Sequence, residues 1–189
     1  MIRIGILGDI GSGKSFVAKN FGYPVFNADN EVSKIYKSDI SIYFKLKKLF
    51  PKYISSFPIK KKEIIKIIFD KKSNLKKIIK IIHKEVKKKM IIFTNKNKDK
   101  KVIILDIPLL LENKINKKKD VLIFVESKKK DILKRLVKRK NFNKKLFDKF
   151  KEIQLSTRLK KRKSQFIIKN KFQKKKVKRD IKIILKKIL

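Results

Sequence analysis

The sequence predicts an α/β fold: a mainly parallel β-sheet flanked by helices in three layers, with a helical insertion and a helical lid. Two observations predict it. Short apolar, β-branched segments alternate along the chain with segments whose apolar residues recur at helical spacing, and this alternation is typical of a parallel sheet covered by helices. The first apolar segment, residues 2–7, also runs directly into a glycine-rich turn followed by a helix.

Five strands and seven helices are predicted in order along the chain. The helix 31–50 is expected to end at Pro51, and a segment reaching Pro58 separates it from the next helix. The predicted strands are 2–7, 23–26, 102–106, 121–125 and 166–168, and the predicted helices are 15–21, 31–50, 60–71, 74–93, 129–139, 144–163 and 174–189. One face of helix 74–93 should be buried, and it consists of Leu75, Ile79, Ile82, Val86 and Met90.

The composition excludes several kinds of site. The chain has no cysteine, which excludes disulfides, thiolate zinc sites and cysteine nucleophiles. His83 is the single histidine, so a histidine-rich metal site is excluded. The apolar segment at the N-terminus is too short for a secretory signal, and lysines interrupt every isoleucine-rich stretch before the roughly 18 residues that a membrane helix needs. We therefore expect a cytoplasmic protein with no membrane partner.

The net charge of +41 raises the question of a nucleic-acid partner. The chain has 51 lysines and 6 arginines, while glycine, alanine and proline together number 11. Lysine, isoleucine, asparagine and phenylalanine have AT-rich codons, so this pattern indicates drift in base composition. The lysines are also spread from Lys45 to Lys187 and form no single basic arm. We expect nonspecific attraction for polyanions and no specific nucleic-acid site.

One motif near the N-terminus is specific for a chemistry. Residues 8–15 fit the pattern G-x-x-x-x-G-K-[ST] of the phosphate-binding P-loop, between a strand and a helix. Glycines let successive backbone N–H groups turn toward phosphate oxygens. The lysine of this motif reaches the β- and γ-phosphates and its hydroxyl residue holds Mg²⁺. The motif predicts that a nucleoside triphosphate is bound by Gly8, Asp9, Ile10, Gly11, Ser12, Gly13, Lys14 and Ser15.

Asp29 follows the second predicted strand and should lie at the same carboxyl edge of the sheet as the P-loop. A carboxylate there could accept the proton of an attacking hydroxyl group. It could equally cap the helix that follows. Its position alone does not decide between a general base and a helix cap.

Several segments, taken in order, resemble the dephospho-CoA kinases among the P-loop kinases. The resemblance covers about residues 2–171 and includes the P-loop as its first segment. The further segments are VFNAD at 25–29, DIPLLLEN at 106–113, LKRLVKR at 133–139, Gln154 with Lys160 six positions later, and IIKN at 167–170.

The resemblance implies transfer of the γ-phosphoryl group of ATP, with Mg²⁺, to the 3′-hydroxyl of dephospho-CoA. It implies that Asp29 is the general base and that His83 contacts substrate, although a lone histidine beside an apolar stripe is also a common structural residue. Arg135 and Arg139 match lid arginines that neutralise the transferring group; their alternative is the solvated face of a basic helix. Glu112 could orient substrate or act as a cap, and we favour a structural role.

The resemblance also suggests two contacts for the nucleotide and its metal. Asn170 belongs to a stretch that lies near the adenine pocket in this family. Asp106 could hold a metal-bound water, beside Ser15 as the hydroxyl ligand, or could be a solvated strand end. We expect a single domain, 1–189, with a core of residues 1–36, 100–128 and 164–189. An acceptor-binding insertion is expected at about 37–99 and a lid at about 129–163.

Four positions depart from the family pattern. Asn27 replaces an aspartate, Phe16 a threonine, Lys84 a proline and Gln165 an aspartate. We interpret these departures as drift in an active or weakened enzyme. Two alternative functions stay open: another small-acceptor kinase, such as a nucleoside monophosphate kinase, and a basic nucleic-acid-binding NTPase. For the kinase we expect a monomer or a weak homo-oligomer.

Overall fold

The computed structural model describes residues 1–138 and 142–189. Within them the chain divides into two compact units, one of Met1–Asn27 and Lys96–Leu189 and the other of Ala28–Asn95. The first unit contains a five-stranded sheet in which every pairing is parallel. The predicted fold class is confirmed.

The strands lie in the order β2-β3-β1-β4-β5, so β1 is central. Both faces of β1 and β3 are buried, as expected for a parallel sheet covered by helices. The strands are β1 (Ile2–Gly8), β2 (Val25–Asn27), β3 (Val102–Asp106), β4 (Val121–Glu126) and β5 (Phe166–Lys169).

The helices of the sheet-containing unit are α1 (Lys14–Lys19), α6 (Lys129–Val137), α7 (Lys144–Glu152), α8 (Thr157–Arg162) and α9 (Lys174–Ile188). The apolar core of this unit joins the sheet to α1 and α9. Its contributors include Ile4, Val17, Ile104, Ile123 and Ile181.

The second unit is helical and contains α2 (Ala28–Ser38), α3 (Ile40–Leu49), α4 (Lys61–Asp70) and α5 (Asn74–Lys96), the last ending one residue beyond it. No helix in residues 1–138 and 142–189 combines the length and apolar character that crossing a bilayer requires.

Two predicted helices were too long, and in both cases a capping side chain explains the break. The predicted helix 31–50 is divided at Asp39, whose carboxylate accepts a hydrogen bond from the N–H of Ile42 and begins α3. The predicted helix 144–163 is divided before Ser156, whose hydroxyl accepts from the N–H of Leu159 and begins α8. On α5, Ile78 is buried in place of the predicted Ile79, which is partly exposed.

Candidate active site

The P-loop connects the central strand β1 to helix α1. Gly11 and Gly13 have φ angles of 84° and 88°, in the left-handed region that glycine adopts without strain. The ammonium group of Lys14 donates to the carbonyl oxygens of Gly8 at 3.2 Å and Asp9 at 2.9 Å. Lys14 is largely buried and the neighbouring Ser15 is exposed. The loop is therefore closely wrapped around its own lysine.

The end of β5 supports the loop from behind. The side-chain amide of Asn170 donates to the carbonyl oxygen of Ser12 at 2.9 Å, and the hydroxyl of Ser127 donates to the same oxygen at 2.9 Å. Asn170 is 2% exposed. A Cβ atom added to Gly13 would lie 2.4 Å from Nδ2 of Asn170 and 2.7 Å from the ring of Phe172. This tight contact accounts for glycine at position 13.

Helix α6 packs against the tip of the loop. A Cβ atom on Gly11 would lie 3.0 Å from Ile132 and 3.1 Å from Leu136, both of which are buried. On the same helix, the guanidinium carbon of Arg135 lies 3.7 Å from the ring centroid of Phe172, a cation–π contact. The predicted lid residue Arg135 is thus near the P-loop. Arg139, the other predicted lid arginine, lies outside the described residues.

Polar contacts join helix α8 to the P-loop, to the turns after β3 and to the segment that precedes the helix. The hydroxyl of Thr157 donates to Oδ1 of Asp9 at 2.7 Å. The buried ammonium group of Lys160 lies 3.0 Å from Oε1 of Glu112 and donates to Oε1 of Gln154 at 3.0 Å. In contrast, α7 contains no buried side chain.

Glu112 lies in the turns that follow β3, where no helix begins, so the predicted helix-cap role is wrong. Besides its ion pair with Lys160, its Oε1 accepts a hydrogen bond from the N–H of Leu155 at 2.9 Å. The Glu112 side chain is 9% exposed. These contacts agree with a structural role for Glu112.

Asp106 ends β3 at the carboxyl edge of the sheet and is 3% exposed. Its Oδ2 accepts a hydrogen bond from Nδ2 of Asn27 at 2.6 Å. The interpretation of Asp106 as a solvated strand end is therefore wrong. The pair lies at the end of the strand adjacent to β1, from which the P-loop departs.

The predicted acceptor residues Asp29 and His83 belong to the helical unit. Asp29 is exposed and lies in the first turn of α2, one residue inside a helix that begins at Ala28. It is therefore not the residue that precedes the helix, although its charge favours the helix N-terminus. Its backbone carbonyl accepts from the hydroxyl of Ser33 at 2.9 Å. His83 is partly buried in the middle of α5. The roles of both side chains remain predictions.

Comparison with known proteins identifies the family. A sequence model described as dephospho-CoA kinase matches residues 2–176. The chain belongs to the dephospho-CoA kinase family. The dephospho-CoA kinase of Wolbachia sp. subsp. Brugia malayi is 35% identical over 170 residues, covering 87% of each chain. That of Bartonella henselae is 34% identical over 170 residues, with the same coverage of each chain.

Comparison with solved structures shows which known folds this dephospho-CoA kinase family member resembles. A Thermus thermophilus protein superposes with a TM-score of 0.79 at 23% identity, covering 100% of this chain and 98% of that one. The dephospho-CoA kinase of Campylobacter jejuni gives a TM-score of 0.65 at 21% identity, covering 98% and 96%. Shikimate kinase from Acinetobacter baumannii gives 0.53 at 14% identity, covering 100% and 93%. The fold is that of the P-loop kinases.

The side chains present fit a nucleotide and the Mg²⁺ ion that the sequence predicts. Among residues 1–138 and 142–189, no group of three histidine, cysteine, aspartate or glutamate side chains comes together. Mg²⁺ does not require one, because it is usually bound by one or two protein groups together with substrate phosphates and water. The hydroxyl of Ser15 and the carboxylate of Asp106 are groups of the required kind.

Three of the departures from the dephospho-CoA kinase pattern are accommodated by specific contacts. Gln165 pairs with both backbone groups of Leu122: its N–H donates at 3.0 Å and its side-chain oxygen accepts at 2.7 Å. Phe16, on α1, packs against the apolar core. Asn27 donates to Asp106 as described above. Lys84 is exposed on α5, and nothing in the structure explains its replacement of proline.

Sequence reasoning missed several residues that shape this site. The roles of Ser127, Thr157 and Phe172 depend on contacts between segments distant along the chain, and no local pattern marks such residues. Phe172 also has a positive φ of 60°, which its residue type does not predict. The hydrogen bond from Asn27 to Asp106 could have been anticipated, since both residues end strands that parallel pairing brings to one edge.

Proposed function

We propose that this chain transfers the γ-phosphoryl group of ATP to the 3′-hydroxyl of dephospho-CoA, giving CoA and ADP, the last step of coenzyme A synthesis. One observation supports it most strongly: a complete P-loop, supported by Asn170 behind and α6 at its tip, in a chain that matches the family over residues 2–176. The chemistry of such a site is mainly positioning and charge neutralisation.

The nucleotide is held by residues 8–15. Lys14, whose ammonium group contacts two carbonyl oxygens of the loop, neutralises the β- and γ-phosphates. Ser15 and Asp106 would hold Mg²⁺, Asp106 through a bound water. The cation, when bound, withdraws charge from the β- and γ-phosphate oxygens. Asn170 supports the loop from behind through its hydrogen bond to Ser12 and borders the adenine side of the nucleotide.

Asp29 acts as the general base. The 3′-oxygen of the ribose forms a bond to the γ-phosphorus, and the bond from that phosphorus to the β–γ bridging oxygen breaks. The hydroxyl proton passes to the carboxylate of Asp29, and the electron pair of the broken bond stays on ADP. Such base assistance typically contributes roughly 10²–10⁴-fold to the rate.

The remaining predicted residues act around the reacting groups. Arg135 and Arg139 neutralise the transferring phosphoryl group, Arg135 after turning from the ring of Phe172. His83 contacts the acceptor within the helical unit. Glu112, paired with Lys160, positions the start of α8 on the substrate side. We assign the moving part of the lid to α7, because it has no buried side chain, whereas α6 and α8 have them.

The enzyme is expected in the cytoplasm, as a monomer or a weak homo-oligomer, with dephospho-CoA as its substrate partner and no specific nucleic-acid partner. Its charge of +41 should produce weak, sequence-independent binding to RNA or DNA. That binding should disappear at moderate salt, because it depends on counterion release. Tight nucleic-acid binding that stimulates ATP hydrolysis would favour the alternative NTPase.

An acceptor screen tests the proposal directly. The purified chain is incubated with ATP, Mg²⁺ and one acceptor at a time: dephospho-CoA, AMP, CMP or single-stranded RNA. We expect ADP formation and a 3′-phosphorylated product with dephospho-CoA, and none with Lys14→Ala. A folded protein that binds ATP but prefers a nucleoside monophosphate, or uses no acceptor, would contradict the assignment.

A further inference from the structure

The side chains of Asn27 and Asp106 form a pair at the carboxyl edge of the sheet. Asn27 ends β2, Asp106 ends β3, and the two residues are partners in the parallel register. Nδ2 of Asn27 donates to Oδ2 of Asp106 at 2.6 Å, and Asp106 is 3% exposed. A neutral amide therefore orients a buried carboxylate.

An asparagine at position 27 changes what this pair can do. The family pattern has an aspartate here, and two carboxylates this close repel one another unless a proton or a cation lies between them. A divalent cation relieves that repulsion, so a carboxylate pair would attract one even without nucleotide. In this chain the amide of Asn27 donates to Asp106 and adds no charge, so the pair carries one negative charge fewer than two carboxylates would.

Two other features also act against binding of a free cation. The chain carries a net charge of +41, which repels divalent cations from its surroundings. Within the described ranges no three potential ligands of the histidine, cysteine and carboxylate types come together. The phosphates of a bound nucleotide supply the charge and the oxygen ligands that the protein alone lacks.

We propose that Asn27 is a positioning residue: it holds Asp106 in place in the nucleotide-free enzyme, so that the divalent cation enters with the nucleotide and does not bind beforehand. This inference rests on the proposed function, which assigns Asp106 to the cation. It predicts that the free enzyme has little affinity for divalent cations and that restoring the carboxylate at position 27 creates that affinity.

Mn²⁺ binding to the nucleotide-free full chain, followed by electron paramagnetic resonance, tests this. The wild type should bind Mn²⁺ only at millimolar concentration or above. Asn27→Asp should bind it at least about tenfold more tightly, because a second carboxylate adjoins the first. The double variant Asn27→Asp/Asp106→Asn should lose this gain. Unchanged affinity in Asn27→Asp, or tightening that survives in the double variant, would overturn the inference.

Asn27→Ala separates positioning from charge. It removes the donor to Asp106 and adds no charge, so Mn²⁺ affinity without nucleotide should stay within about twofold of the wild type. With dephospho-CoA as acceptor, KM for the metal–nucleotide complex should rise more than kcat falls, and Asn27→Gln should not restore it because its longer side chain misplaces the amide. Unchanged KM in Asn27→Ala would overturn the positioning role.

The two proposals fail differently. If the wild type phosphorylates dephospho-CoA and Asn27→Asp binds Mn²⁺ no more tightly than the wild type, the inference about Asn27 is overturned and the proposed function is not. Absence of turnover, together with the expected Mn²⁺ pattern, overturns the proposed function and leaves the cation behaviour of the pair established. Thermal unfolding of each variant, compared with and without Mn²⁺ at equal ionic strength, checks that the proteins are folded.

Discussion

Nδ2 of Asn170 donates a hydrogen bond to the carbonyl oxygen of Ser12 at 2.9 Å. The contact joins the end of the edge strand β5 to the P-loop, across 158 positions of the chain. Asn170 is itself fixed, because its N–H donates to the carbonyl oxygen of Glu126 and its side-chain oxygen accepts from the N–H of Phe172. The geometry of the phosphate-binding loop therefore depends on the last strand of the sheet.

The first prediction concerns Gly13, which packs against this support. In Gly13→Ala the added Cβ would lie 2.4 Å from Nδ2 of Asn170, so the loop must shift. We expect ATP affinity, measured by calorimetry, to fall at least tenfold. Gly22→Ala is a matched control, because Gly22 also has a positive φ, 75°, but nothing lies within 4 Å of its Cβ position.

The control should lower the free energy of unfolding by about 1 kcal/mol through backbone strain alone. Its ATP affinity should equal that of the wild type. Equal effects of the two substitutions on ATP affinity would show that the contact with Asn170 has no part in shaping the loop.

The second prediction concerns the buried ion pair between Lys160 and Glu112, whose side chains are 1% and 9% exposed. Lys160→Met would leave the carboxylate buried without its cation, so the free energy of unfolding should fall by about 3–5 kcal/mol. Lys144→Met is the control. It breaks the pair of Lys144 with Asp148, whose side chains are 80% and 47% exposed, and should cost less than about 1 kcal/mol.

Urea denaturation of the two variants measures the difference. If Lys160→Met lowers the free energy of unfolding as little as Lys144→Met does, then Glu112 finds water or another partner when Lys160 is removed.

The third prediction concerns the pH dependence of stability in the helical unit. Burial acts to raise the pKa of the Glu63 carboxyl, but hydrogen bonds from the N–H groups of Ser55 and Lys60 and from the Ser55 hydroxyl outweigh it and hold that pKa below its usual value of 4.5. A carboxyl with a lowered folded-state pKa stabilises the fold fully above its unfolded pKa. That contribution is lost as the pH falls through the folded value.

Glu63→Gln should therefore lower the free energy of unfolding at pH 7, by about 1–3 kcal/mol for a buried hydrogen-bonded group. The difference in free energy of unfolding between this variant and the wild type, the gap, should narrow as the pH falls below about 4.5, the usual pKa of a glutamate carboxyl. Glu85→Gln serves as control, since the ion pair that the described residues show for Glu85 is with the exposed Lys88, and this variant should show no such gap. Denaturation at a series of pH values gives the free energy of unfolding of each variant and of the wild type as a function of pH. A gap for Glu63→Gln that stays constant with pH would contradict the lowered pKa of Glu63.

The sheet and the P-loop could be predicted from sequence because both depend on local signals. A strand such as 102–106 is apolar throughout, and the loop has fixed residue types at fixed spacing. The helix 31–50 was predicted too long because lysine and isoleucine continue across Asp39, and only the capping hydrogen bond to Ile42 shows that a new helix begins there.

The supports of the site could not be predicted in the same way. The contacts of Asn170 with Ser12 and of Thr157 with Asp9 join residues 158 and 148 positions apart, and both need the folded chain. Likewise, the sequence left Asp106 as either a metal-site carboxylate or a solvated strand end, and burial beside Asn27 decides against the latter.

The fourth prediction concerns Asp29, the proposed general base. Asp29→Asn keeps the shape of the side chain but cannot accept the hydroxyl proton, so the rate of phosphoryl transfer should fall roughly 10²–10⁴-fold. ATP affinity should be unchanged. Glu31→Gln is a close control, because it removes a charge from the same first turn of α2, and it should transfer at nearly the wild-type rate.

A single-turnover measurement with ATP labelled in the γ-phosphate and saturating dephospho-CoA tests whether Asp29 is the general base. We predict that phosphoryl transfer to the 3′-hydroxyl is fast in the wild type and in Glu31→Gln, and is slowed at least about a hundredfold in Asp29→Asn. Transfer at nearly the wild-type rate by Asp29→Asn, in a folded protein that binds ATP normally, would contradict it.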